Sequence, residues 1–441
     1  MLAIVSVFTS CKEEIPDVPD PNNSTLVDYV SKIQHPSLLH TQADFDFVKQ
    51  KIAAGAQPWT DAYEHLKSNK HSQSSWKANP VVKLARLDAG NWATINRWEK
   101  EGIADDWYQG IHSNYTNLMY DAASAYALAL RWKLSDDPQF AKAAVDILNA
   151  WASTCVGYIV NKQGGFIDPN EHLIAIQVHQ IVNAAEILRS YSGWNPSDFE
   201  AFKKWVVKVF YKPASQFLQK GGQDCPLHYW MNWDYAQMTA ILSIGILTED
   251  NYKINEVFKY FKLGVGTGGI ANSVPFVHQD PDSGELLGQG NESGRDQGHA
   301  VLCVSLMGVF SQMAKNIGEH VFTYDNARAL AMCEYIAKYN LSTAEKNNNF
   351  LYEVPFTHYT NCKYDHPQIS SIGRGEVRPA WELVVRLAQD YGKSSIYAQK
   401  WVDLMRQSAT RNFSDGGSGD YGSSSGGYDQ LGWGTLMMSK K

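Results

Sequence analysis

Residues 288–300, GQGNESGRDQGHA, set a carboxylate, a guanidinium and an imidazole at Glu292, Arg295 and His299, three and four positions apart. If a helix has begun there, that spacing puts all three on one face. The polar, glycine-rich lead runs straight into the apolar stretch 300–310, AVLCVSLMGVF. Its polar groups therefore sit where a buried helix emerges into a cavity. Arg, His, Asp and Gln within five residues at such a mouth suit proton transfer on a bound molecule. The bland alternative is an N-terminal cap with a Glu–Arg pair, and the crowding of chemical groups favours the site.

A second cluster, residues 225–239 (CPLHYWMNWDYAQMT), precedes another apolar helix and brings together His228, Tyr229, Trp230, Asn232, Trp233 and Tyr235. Flat aromatic rings beside an amide and an imidazole suit a sugar subsite. A third, residues 354–364 (VPFTHYTNCKY), offers His358, Tyr359 and Lys363 on a loop. A fourth, residues 371–382 (SIGRGEVRPAWE), supplies Arg374 and Arg378. Two other candidates rank lower. His172 and His179, seven apart on a helix over 170–191 with Gln177 nearby, read as satisfied core or rim histidines. Asp280, Asp282 and Glu285 lack the further ligands of a calcium loop and read as a solvated turn.

The elements that must hold these groups are helical. Residues 198–209 carry the one-sided stripe Phe199, Phe202, Val206 and Val209 of an amphipathic helix. Residues 122–130, 236–247 and 300–310 are apolar nearly all round, so they must be covered on every side, yet each is too short to span a membrane. Alternating helices of these two kinds predict an inner ring inside an outer ring, an all-α (α/α) toroid or incomplete barrel. Strand signals are few, at 276–278 and 350–356. The glycine-rich stretch 415–432 reads as a loop or mobile segment.

Across 441 residues, 44% are hydrophobic and 19% charged, which supplies a core and excludes disorder. A net charge of −7 argues against a nucleic-acid partner. Cysteines at 11, 155, 225, 303, 333 and 362 show no CxxC and no zinc-ligand rhythm, so neither a structural metal nor a disulfide framework is implied. Cys303 and Cys333 lie in apolar runs and read as small core residues.

The segments NWD at 232–234, GQGNESGRDQGH at 288–299, EYIAKYN at 334–340, VPF at 354–356 and RGEVRP at 374–379 together resemble the alginate lyase superfamily. The closest likeness is to polysaccharide lyase family 38. HPSLLHT at 35–41 resembles that superfamily's opening, and the likeness runs over roughly residues 35–412. It implies β-elimination of a 1,4-linked polyuronate, with alginate or glucuronan as the anionic polysaccharide partner and no cofactor. Such chemistry removes the C5 proton beside a uronate carboxylate and expels the C4 oxygen, so it needs a carboxylate neutraliser, a base and an acid. By this resemblance Asn232 is the neutraliser, assisted by Arg295 and Glu292. His299 is the base or a second neutraliser, and Tyr359 is the acid, with Tyr352 the alternative. His228, Trp230, Tyr235, Gln297, His358, Arg374 and Arg378 are expected to bind substrate.

The first eleven residues, MLAIVSVFTSC, resemble the end of a bacterial lipoprotein signal with Cys11 as the lipidated residue. Lys12, Glu13 and Glu14 resemble the surface-export signal of Bacteroidetes lipoproteins. This predicts a signal remnant over 1–11, a tether over 12–34 and one lyase domain over 35–441. The expected location is exported, periplasm-facing or cell-surface, with the outer membrane as lipid-anchor partner. Two other functions are weighed: a glycoside hydrolase using Asp234 and Glu292 as paired carboxylates, and a noncatalytic glycan-binding lipoprotein. A hydrolase needs two central carboxylates, whereas the sharpest motif here centres on Arg and His.

Overall fold

A computed structural model of the chain describes residues 26–86, 114–159, 172–220, 225–342, 349–407, 414–422 and 425–440. The signal-like segment with Cys11, and the tether up to residue 25, lie outside the described residues.

The three runs that are apolar all round form the centres of long helices. In chain order, the first helices are α1 (Gln42–Ala53), α2 (Trp59–Ser68), α3 (Tyr115–Ser135) and α4 (Pro138–Thr154). Next come α5 (Ala175–Leu188), α6 (Pro196–Val206), α7 (Lys212–Lys220), α8 (Met231–Leu247) and α9 (Asn251–Leu263). A short α10 (Ile270–Ser273) precedes α11 (Gln297–Asn316) and α12 (Tyr324–Asn340). The last are α13 (Trp381–Asp390), α14 (Ile396–Arg406) and α15 (Gly434–Met437).

Inner helices follow one another around the molecule: α3 packs on α5, α5 on α8, α8 on α11 and α11 on α13. The circuit closes because α13 meets α15, α15 meets α1 and α2, and α1 meets α3. Every residue of α5 is buried, and so is every residue of α8 except Trp233. Burying one such Leu or Ile stabilises the fold by about 1.5–3 kcal/mol. Amphipathic helices flank the ring, with α4 against α3, α9 against α8, and α14 against α12 and α13. Local capping fixes where they start. Thr41 and Asp44 cap α1 reciprocally, and Asp137 caps α4 just ahead of Pro138. The expected toroid is therefore the observed architecture.

Among the described residues there are three two-stranded ribbons: β1 (Lys83–Leu84) parallel to β2 (Gly157–Tyr158), β3 (Phe276–Gln279) antiparallel to β4 (Leu286–Gln289), and β5 (Tyr359–Thr360) antiparallel to β6 (Asp365–His366). The strand expected at 276–278 is β3. That expected at 350–356 is irregular apart from one bridge, Ser342 to Phe350.

Several other expectations are corrected. The stretch 415–432 is not a free loop where it is described. Tyr428 is fully buried, and Asp415 accepts hydrogen bonds from the Glu382 backbone at 2.9 Å and lies among groups of α13 and α15. Asp280 is no solvated turn residue. It is buried against the Lys338 ammonium and accepts from Tyr397. Burial pushes its carboxyl up, but the hydrogen bonds from Lys338, Ser283 and Tyr397 outweigh that and hold it at about 2. His179 does lie in the core, but neither ring nitrogen has a partner among the described residues, and burial lowers its pKa to about 3. His172 packs its ring on Phe217 at 4.9 Å.

Candidate active site

The N-terminal turns of α8 and α11 lie side by side, because these two inner helices are neighbours in the ring. Their first turns carry Asn232 and His299, and the loop between β4 and α11 carries Glu292 and Arg295. Glu292 is fully buried. Its Oε1 accepts from the Asn232 side-chain amide and from the Asn232 backbone N–H at 3.1 Å. Its Oε2 accepts from Arg295 Nη1 at 3.1 Å. The Arg295 side chain is 25% exposed, and its Nη2 faces His299 Nε2 at 3.2 Å. On the far side of that ring, His299 Nδ1 meets Asp296 Oδ2 at 2.7 Å. Asp296 is the N-cap of α11 and also accepts from the His299 backbone N–H at 2.8 Å. A carboxylate on Nδ1 fixes the N–H there and leaves Nε2 as the acceptor. His299 is the most open member of the set, at 41%.

The β5–β6 hairpin closes over this mouth. Alternation along a strand puts every second side chain on one face, and Tyr359 pairs directly with His366. Tyr359, Tyr364 and His366 are accordingly the covered residues, whereas His358, Thr360 and Asp365 face outward. The Tyr364 ring stacks on Trp230 at 3.9 Å, and Arg295 lies over the same indole at 5.1 Å. His366 sits 5.4 Å from Trp230, and its Nε2 is buried without a partner among the described residues. Its Cβ lies so close to Gly294 that a side chain at 294 would meet it at 2.4 Å. Tyr359 accepts from Asn361 Nδ2 at 2.9 Å. Burial raises the hydroxyl pKa of both Tyr359 and Tyr364. Glu292 adds to this in each, while Asn361 offsets it at Tyr359 and Arg295 at Tyr364. Burial lowers that of His366.

A disulfide, Cys225–Cys362, ties the hairpin turn to the segment leading into α8, and Asn361 Nδ2 donates to Leu227 O at 3.1 Å beside it. The expectation of no disulfide framework is corrected here. The two cysteines are 137 residues apart in sequence, and their spacing carries no sign of the meeting. Cys303 and Cys333 are free and buried, as expected of core residues, and Cys155 is free and buried as well.

The expected residues thus divide. Asn232, Glu292, Arg295, His299, Trp230 and Tyr359 come together at one mouth. His228 stands at its edge, its Nε2 2.6 Å from Lys363 Nζ. His358 is on the outer face, paired with Asp365. Tyr235 is buried inside the ring. Gln297 bonds Ser293 O, Ser370 O and Asn340, fastening loops together. Arg374 lies over Tyr339 at 3.7 Å and bonds the backbone oxygens of Tyr339 and Tyr352. Arg378 pairs with Glu376 at 3.0 Å. Tyr352 packs on Tyr397 and accepts from Lys400, away from the mouth. Sequence reasoning missed Asp296 as the partner of His299, and Tyr364 and His366 altogether. The run KYDH at 363–366, beside the singled-out loop, was the signal available for the last two.

Asp234, the second carboxylate a hydrolase would need, points away from Glu292. It accepts from Tyr260 Oη at 2.6 Å and Gly268 N at 2.7 Å, and burial raises its pKa to about 6. Among the described residues no cluster of His, Cys, Asp and Glu could hold a metal ion.

A ring of inner and outer helices with an Arg–His–carboxylate mouth defines a helical toroid with a proton-transfer site at the head of two inner helices. The sequence profile of the alginate lyase family matches residues 49–272, just over half of the chain. The chain belongs to the alginate lyase family and is a polysaccharide lyase. The matched span takes in Trp230 and Asn232 and ends before Glu292. Alginate lyase A1-III from Sphingomonas species A1 superposes with a TM-score of 0.52 at 12% identity, covering 93% of this chain and 100% of that one. The same enzyme complexed with tetrasaccharide gives 0.53 at 11%, covering 93% and 99%. At such identities the likeness establishes the fold. No curated protein sequence matches the chain.

Proposed function

We propose that this lyase cleaves 1,4-linked polyuronate, with mannuronate-rich alginate ahead of glucuronan, leaving 4,5-unsaturated uronate ends. The observation that carries the reading is Arg295, held by buried Glu292 at 3.1 Å and facing His299 at 3.2 Å, with Asp296 behind the imidazole. A uronate carboxylate docking on Arg295 is neutralised there, which lets negative charge develop as the C5 proton leaves. The same docking draws the guanidinium from His299 Nε2 and frees that lone pair to take the proton. Electrons of the C5–H bond form the C4–C5 double bond, the C4–O bond breaks, and the leaving oxygen takes a proton from a tyrosine. Burial raises the hydroxyl pKa of Tyr359 and Tyr364, so each keeps its proton at neutral pH and neither is poised as a base. Asn232 is 1% exposed, with its amide engaged on Glu292. Its part is therefore to position Glu292 and Arg295 rather than to touch sugar.

The test is a panel of alginate, polymannuronate, polyguluronate, glucuronan and pectin followed by ultraviolet absorbance. Conjugated unsaturated product from a polyuronate is expected. Reducing ends without absorbance, or binding without cleavage, would overturn the reading.

We also propose export with a lipid anchor on Cys11. Supporting it are the lipoprotein-like run before Cys11 and the disulfide, a bond that persists in oxidising compartments. The native protein should partition into detergent and the Cys11→Ser form should not. An unmodified Cys11 in the native host would refute this.

A further inference from the structure

Lys363 and His228 bring two basic nitrogens to 2.6 Å of each other at the edge of the mouth. Among the described residues no carboxylate lies within ion-pair distance of Lys363, and the nearby Asp365 is engaged with His358. Burial, followed by the Lys363 charge, lowers the His228 pKa, and burial lowers that of Lys363.

The spot is built rather than incidental. Its two walls, the segment before α8 and the β5–β6 turn, are joined by the Cys225–Cys362 bond and by Asn361 to Leu227 O. Asn361 Oδ1 also accepts from the backbone N–H of Lys363 at 2.8 Å, which fixes the turn that carries the lysine. The spot is also in line with the reaction centre. Lys363 lies 5.3 Å over Tyr364, Tyr364 stacks on Trp230, and Arg295 lies over Trp230. One cation thus stands beside each ring of the stacked pair.

We infer that Lys363 and His228 form a second carboxylate subsite, which holds a neighbouring uronate of the same polysaccharide chain while Arg295 holds the one being cut. This deepens the proposed function and rests on it. The pair selects polymers that repeat their charge. A single uronate, or a chain whose neighbouring carboxyl is esterified, fills one cation and leaves the other open.

In Lys363→Gln, KM for polymannuronate should rise about tenfold or more, the size of one charge-assisted hydrogen bond, with kcat reduced far less. The rise of KM with added salt should become shallower, since one screened attraction is gone. Lys363→Arg should restore most of the loss. Unchanged KM together with an unchanged salt slope would overturn the subsite. Calorimetric titration of His299→Ala with mannuronate tetrasaccharide, with and without Lys363→Gln, tests it apart from catalysis. Weaker binding in the double variant supports it and equal affinities refute it, even if the wild type cuts no polyuronate. That last outcome would refute the lyase reading alone.

Discussion

Replacing Cys225 and Cys362 together by serine removes the covalent tie without leaving an unpaired thiol. The bond encloses a separation of 137 residues, so the chain-entropy relation puts its stabilisation at up to about 5 kcal/mol. With an unfolding entropy of about 2.1 cal/mol/K per residue over roughly 400 residues, that corresponds to a fall of about 6 °C in Tm. The local effect is larger in proportion. Without the bond, the hairpin turn is held by Asn361 on Leu227 O, the Lys363–His228 contact and the Trp230–Tyr364 stack. Each is worth about 1 kcal/mol net. Tyr359, Tyr364 and His366 all ride on this hairpin, so turnover should fall about tenfold or more while the toroid stays folded. Differential scanning calorimetry and initial rates on polymannuronate, each with and without reductant, measure the two effects. A double-serine protein with wild-type Tm and wild-type kcat would refute the view that the bond positions the hairpin.

The remaining tests touch the site and its frame. Asn232→Ala should lower kcat by up to about 10², the cost of letting Glu292 and Arg295 shift by about 1 Å, and near-normal turnover in a folded variant would exclude its positioning role. Tyr359→Phe and Tyr364→Phe each remove one oxygen and keep the ring. The acid is the one whose loss collapses kcat with binding preserved, and full activity in both would end the tyrosine mechanism. Lys338→Met strands the buried Asp280 carboxylate and should cost about 3–5 kcal/mol in denaturant titration, whereas Lys338→Met with Asp280→Asn should recover most of it. Burial lowers His40, His71 and His172 to about 4 and His179 to about 3. The unfolded chain therefore binds more protons at these four sites, and their contribution to stability is lost as pH falls from about 6.5 toward 4. Asp234 and Glu334, raised by burial to about 6 and about 7, oppose this over the same range. Asp121 and Asp415 are raised as well, and His228 and His366 lowered, so the clean readout is a difference: His179→Leu should make the urea midpoint less sensitive to acidification than that of the wild type.

The helical frame was legible because α3, α8 and α11 are apolar on all sides, a pattern with few solutions other than a covered inner ring. ESGRDQGH was legible from the chemistry it crowds together, and Glu292, Arg295 and His299 do share a mouth, but the helix begins only at Gln297, so Glu292 and Arg295 reach it from the preceding loop rather than from a helical face. The hairpin was not. Its strands are two residues each, too short for alternation to declare itself, and its position is set by a disulfide between distant residues. Spacing also could not say which way a polar side chain points. Gln297, Arg374 and Arg378 have the chemistry of ligand-binding groups, but they bond loop carbonyls, aromatic faces and nearby carboxylates. Asn232 lies beside the site, yet its amide faces inward to Glu292.

The rim hairpin has a bearing on how such an enzyme can diversify. Arg295 and the His299 imidazole stand at the root of α11, while Tyr359, Tyr364 and Lys363 stand on a flap tied down by the Cys225–Cys362 bond. Substitutions in the flap alter which sugars are gripped without repacking any helix of the ring. The exposed positions His358, Thr360, Lys363 and Asp365 can thus vary around a fixed cysteine pair while Tyr359, Tyr364 and the helices beneath stay as they are.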